Sequence, residues 1–148
     1  MDSPRTYAGG SPVQLAAFVV GALFVFVGVL GFIPGVTTHY PEMGFAGHES
    51  GALLLNVFQV SILHNLVHLL FGIAGILLSR TWSAARAFLA GGGAIYLALG
   101  IYGMVVGQDT PANFVPVNTA DNWLHVVLGV GMIALAFLPA RHRASATR

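Results

Sequence analysis

The sequence predicts an all-α fold: an integral membrane four-helix bundle built from two duplicated two-helix hairpins. Three observations carry the prediction. First, apolar residues make up 56% of the 148 residues and charged residues only 7%, against about 25% charged in an average soluble domain. Mean hydropathy is +0.80. A chain this small exposes more surface than so few charges can cover, which excludes a water-soluble enzyme and disorder alike. Second, the charges divide the chain into four uncharged windows, 6–41, 50–79, 87–108 and 122–140. The shortest holds 19 residues, close to the roughly 20 that a helix needs to cross a bilayer core. Third, a polar motif recurs, as Asn65-x-x-His68-x-x-x-Gly72 and Asn122-x-x-His125-x-x-x-Gly129.

Trimmed for turn formers, the windows give spans at about 13–33, 56–78, 87–106 and 123–138, a single domain with tails at 1–12 and 141–148. Pro34-Gly35 stops the first span, which exceeds the 7–15-residue apolar region of a signal peptide. No Ala-x-Ala-like cleavage site follows it, so it reads as a retained helix. Arg80 closes the second span, Gly107 ends the third, and Asp121 stands where an N-cap would open the fourth.

The six arginines set the orientation. Arg5, Arg80, Arg86, Arg141, Arg143 and Arg148 all fall on one side of this topology, an arrangement expected by chance about once in thirty trials. Glu42, Glu49, Asp109 and Asp121 fall on the other. Positive residues stay inside, which predicts a multi-pass protein of the plasma membrane with both termini cytoplasmic. The partner this implies is the lipid bilayer. A net charge of +1 without a single lysine excludes a nucleic-acid surface, and the absence of cysteine excludes disulfides and thiol chemistry. A homo-oligomer or a membrane-complex partner is left open.

The hairpins align in two blocks. Gly21-Ala22-Leu23-Phe24-Val25 matches Gly93-Ala94-Ile95-Tyr96-Leu97, and Gly28 and Gly31 match Gly100 and Gly103, at an offset of 72; the Asn/His motifs match at an offset of 57. Both copies run in the same direction, which predicts a pseudo-twofold axis along the membrane normal. Gly28, Gly31, Gly72, Gly100, Gly103 and Gly129 are the expected packing residues, because small residues let helices approach closely in lipid. Gly31-x-x-x-Gly35, Ala94-x-x-x-Ala98 and Gly103-x-x-x-Gly107 share the small-residue spacing.

The chemistry lies in a polar stripe. At 100° per residue, Ser61, His64, Asn65, His68 and Gly72 share one face of span two, and Asp121, Asn122, His125 and Gly129 share one face of span four. Polar groups in hydrocarbon face the bundle interior. At 1.5 Å per residue His68 lies about 18 Å from Arg80, in the outer half of the membrane. The expectation is one outward-opening cluster of three imidazoles, two carboxamides and Asp121.

Four functions suit such a cluster. In the leading one it is structural, packing spans two and four against each other in an accessory membrane protein without a cofactor. The second is a divalent metal held by His64, His68 and His125, the first two at i, i+4. The third is haem ligated by one histidine from each of two helices, His68 and His125. The fourth is a small permease, a channel component or a proton path beside Asp121. Hydrolytic catalysis lacks any nucleophile elbow, membrane carboxylate pair or cysteine. The second outer loop, with Asn113, Pro116 and Asn118, reads as an ordered lid; the first, with His39, Tyr40, Glu42, His48 and Glu49, reads as solvated turns.

The segments Phe58-Gln59-Val60-Ser61-Ile62-Leu63-His64-Asn65-Leu66-Val67-His68-Leu69-Leu70-Phe71-Gly72 and Asn113-Phe114-Val115-Pro116-Val117-Asn118-Thr119-Ala120-Asp121-Asn122-Trp123-Leu124-His125 resemble the signature segments of the domain of unknown function 4383 family. With the Gly28-Val29-Leu30-Gly31-Phe32-Ile33-Pro34-Gly35 segment, the likeness runs from about Val13 to Leu138. It implies a small four-helix membrane protein of a mainly actinobacterial group, and it implies no activity.

Overall fold

A computed structural model describes residues 10–139. Apart from residues 10–12, the two tails lie outside that range, as do Arg5, Arg141, Arg143 and Arg148. Four helices dominate: α1 Pro12–Leu30, α2 Ile62–Leu78, α3 Trp82–Val105 and α4 Thr119–Ala136. Three of them, α1, α3 and α4, are long and apolar enough to cross a membrane; α2 is as apolar but has 17 residues.

Each helix starts on a side-chain cap. Ser11 caps α1, with Pro12 opening the first turn and Gln14 closing a capping box. The Gln14 amide also donates to the carbonyls of Ser79 (3.1 Å) and Arg80 (2.9 Å), tying the start of α1 to the end of α2. Ser61 caps α2 and Thr81 caps α3. Asn118, rather than Asp121, caps α4; Asp121 is the third helical residue and completes a capping box. The Asx side chain three residues upstream supplies the same bond one turn earlier, which a scan for charge alone does not register.

Helix α1 packs chiefly along α2, and α3 along α4. The two crossings use matched residues. A Cβ built on Gly21 would lie 2.7 Å from both the Gly72 carbonyl oxygen and the Ile76 nitrogen. One on Gly93 would lie 2.8 Å from the Gly129 oxygen and 2.9 Å from the Ile133 nitrogen. Gly28 and Gly100 likewise abut the carbonyls of Asn65 and Asn122. All these pairs correspond under the offsets of 72 and 57. The other spacings do not pack: Ala94 and Ala98 are exposed, and Gly35 meets nothing within 4 Å.

The pairs meet through an aromatic core. The Phe24 and Tyr96 rings lie 5.0 Å apart, and Phe71 closes on both at 5.2 and 5.4 Å. Phe24 and Tyr96 are themselves separated by the offset of 72.

Several boundaries differ from expectation: α1 ends at Leu30 rather than 33, α3 begins at Trp82 rather than 87 and so takes in Arg86, α4 begins at Thr119 rather than 123, and α2 begins at Ile62 rather than 56. The residues from 53 to 59 are not helical; they form strands β2 Leu53–Leu54 and β3 Phe58–Gln59, which join β1 Thr37–Thr38 in an antiparallel sheet ordered β1-β2-β3. The β2–β3 turn places Leu55 and Asn56 at φ +53° and +59°, the left-handed pair of a tight hairpin. A short, mostly apolar stretch does not distinguish strand from helix, and the Ser61 cap decides where α2 begins. Ala52, Leu54 and Val60 form a small second core beneath this sheet.

Candidate functional site

The polar stripe divides into three arrangements rather than one cluster. The first is a pair of notches. Asn65 is 1% exposed and presses its carboxamide onto Gly31; Asn122, 2% exposed, does the same to Gly103. Each asparagine therefore packs inside its own helix pair, α1–α2 or α3–α4. This corrects the expectation that the carboxamides join α2 to α4: on α2 and α4 they point back toward the glycine-bearing helix, which alone leaves room for them. Asn122 Oδ1 is buried without a hydrogen-bond partner.

The second arrangement is the start of α4. The Asp121 carboxylate, 3% exposed, accepts from the backbone N–H of Gln59 and of Asn118, both at 2.9 Å. Asn118 Nδ2 donates to the Val57 carbonyl at 2.7 Å. Asp121 thus clamps β3 to α4 and does not join the imidazoles, contrary to expectation. Ser61 is likewise occupied, accepting from the His64 N–H at 3.1 Å.

The third arrangement brings the histidines together. The His64 and His68 rings stack at 4.6 Å, and His125 lies 6.2 Å from His64. Tyr96 meets His125 edge-on at 5.1 Å. His64 Nδ1 lies 3.1 Å from the Pro116 carbonyl, and His68 Nδ1 lies 3.0 Å from the His64 carbonyl. A carbonyl only accepts, so both Nδ1 atoms carry protons. His125 Nδ1 is sealed from solvent and has no partner.

The loop between α3 and α4 covers this group. Asn113 donates from Nδ2 to the carbonyls of Gln108 and Val117 and accepts from the Val117 N–H. Tyr102 donates its hydroxyl to Ala112 at 3.1 Å, and His64 holds Pro116. Beneath the loop is a cavity of about 100 Å³ lined by His64, His68, Tyr96, His125 and apolar neighbours. Pro116 belongs to the loop read as a lid, whereas Tyr96 was not singled out as a site residue. The Phe24-to-Tyr96 match at offset 72 is the signal that would have found Tyr96, as the one place in that block where the repeat acquires a hydroxyl.

The cofactor expectations do not fit this geometry. No three His, Asp or Glu side chains among the described residues are grouped to hold a metal, so the His64, His68 and His125 set does not form a ligand triad. The reason is local: two of the rings stack face to face and spend Nδ1 on carbonyls. The cavity among the three rings is small, about 100 Å³.

The model of the family described as Domain of unknown function (DUF4383) matches residues 14–138. No curated protein and no solved structure matches the chain.

Proposed function

Because the chain belongs to the DUF4383 family, whose description assigns no activity, we propose its function from the geometry alone: a multi-pass integral membrane protein of the plasma membrane with a structural or accessory role. Four spans, with both termini cytoplasmic, form two duplicated hairpins. The observation that carries this reading is the repeated glycine–asparagine crossing, in which Gly21/Gly72/Asn65/Gly31 and Gly93/Gly129/Asn122/Gly103 make the same contacts. In lipid, helices associate through close packing rather than hydrophobic burial, and this crossing supplies it. The outward faces support the same reading, since Phe26, Leu70, Val127 and Phe137 are all more than half exposed. With α2 short, the β2–β3 hairpin would complete its passage through the outer interface.

Reporter fusions after Arg148 and within the 35–53 loop test the topology. A cytoplasmic C-terminus with an exported first loop is expected; an exported C-terminus refutes it. A second reading, a small permease or proton-path component, is favoured by the cavity among the histidines.

A further inference from the structure

The two helix pairs form two clefts from equivalent positions, and the clefts differ. Between α1 and α4 lies an open groove of about 220 Å³, lined by Phe24, Val27, His68, Leu124 and other apolar side chains. Between α2 and α3 the corresponding positions are Tyr96, Leu99, His125 and Val67, and they line the cavity of about 100 Å³. The offsets of 72 and 57 relate all four. Only the second cleft carries the pinned loop, and only there does a second histidine from α2 enter. The position equivalent to His64 on the other side is Asp121, which is spent on the β3 clamp.

We propose that the loop-covered cavity binds a small neutral aromatic alcohol, of the phenol class. Its walls are mainly apolar and aromatic, with Tyr96, Tyr102 and Phe114 among them, which suits a ring. No acidic or basic side chain other than histidine lines it, so neither a cation nor an anion finds a fixed counter-charge. Two of its polar groups, on His68 and His125, suit one hydroxyl, while Asn113 and the Tyr102 hydroxyl are spent on the loop. His68 commits its Nδ1 proton to the His64 carbonyl, leaving Nε2 of the neutral ring as an acceptor. His125 has no acceptor beside Nδ1, so its neutral ring carries the proton on Nε2 as a donor. A hydroxyl donates to the first and accepts from the second. An engineered apolar cavity of about 150 Å³ takes benzene; at about 100 Å³ and open on one side, this cavity would hold a single ring only partly enclosed.

The test uses the full chain in detergent, with its histidines ¹⁵N-labelled, titrated with phenol and separately with toluene, which replaces the hydroxyl by a methyl group. Phenol should shift the imidazole ¹⁵N resonances of His68 and His125 saturably, and toluene should bind about tenfold more weakly, the worth of one or two hydrogen bonds. Val67→Phe fills the cavity from a largely exposed helix position and should abolish the shift; Leu124→Phe, at the equivalent position of the open groove, should leave it. Where Val67→Phe fails to fold, Leu99→Phe blocks the same cavity from α3. No saturable shift, equal binding of toluene, or a shift that persists in the blocked variants overturns the proposal.

Discussion

Replacing Gly72 or Gly129 by alanine tests the helix crossings directly. A Cβ on Gly72 would lie 2.6 Å from the Gly21 carbonyl oxygen, and one on Gly129 would lie 2.6 Å from the Leu97 nitrogen. These are backbone atoms and cannot rotate away. An ordinary carbon–oxygen contact is about 3.3–3.6 Å, so α1 and α2 must separate by about 0.7–1 Å where they touch. A gap of that size forfeits about a quarter to a half of each local contact of about 0.1–0.2 kcal/mol. Over on the order of twenty atom pairs the loss is about 1 kcal/mol, and residual strain raises it toward the 1–3 kcal/mol typical of overpacking. Alanine returns up to about 1 kcal/mol of helix propensity. The same substitution at Gly91 or Gly131, where a Cβ meets nothing within 4 Å, collects that gain alone. The gap between the two classes should therefore be about 2 kcal/mol, read as thermal or denaturant unfolding in detergent. Gly72→Ala and Gly129→Ala as stable as Gly91→Ala would refute the close-crossing argument.

Asp121→Ala should destabilise by about 2–4 kcal/mol, since it leaves the Gln59 and Asn118 N–H groups without their acceptor. Asp121→Asn keeps one acceptor oxygen and should cost less than half as much in the same unfolding assay. Leu55→Asn should stabilise by about 1 kcal/mol, because asparagine tolerates the left-handed φ of +53° that leucine is forced to adopt. His68→Gln should be tolerated better than His68→Ala, by roughly the 0.6 kcal/mol of an average membrane hydrogen bond. Loss of Tm equal for both, and larger than for Gly72→Leu, would point away from packing.

Much of this molecule is legible in the chain. Four apolar segments, the packing glycines and the matching of Asn65 with Asn122 follow from composition and periodicity, because a residue costly in lipid is placed only where a partner awaits it. All six glycines singled out there meet a facing helix or its side chains. The partner itself was not legible. Periodicity states which face of α2 is polar but not which helix lies against it, and so Asn65 was set against α4 when Gly31 receives it. The same limit applies to Asp121, whose distance along the chain from Gln59 hides their hydrogen bond. The β2–β3 hairpin was hidden because a short apolar run satisfies either period, and its left-handed turn at Leu55 is imposed by the sheet against local preference. Sequence by itself determined which polar residues must be sheltered among the apolar helices. Only the tertiary structure decided what shelters each of them, because that depends on how helices distant in sequence are brought side by side.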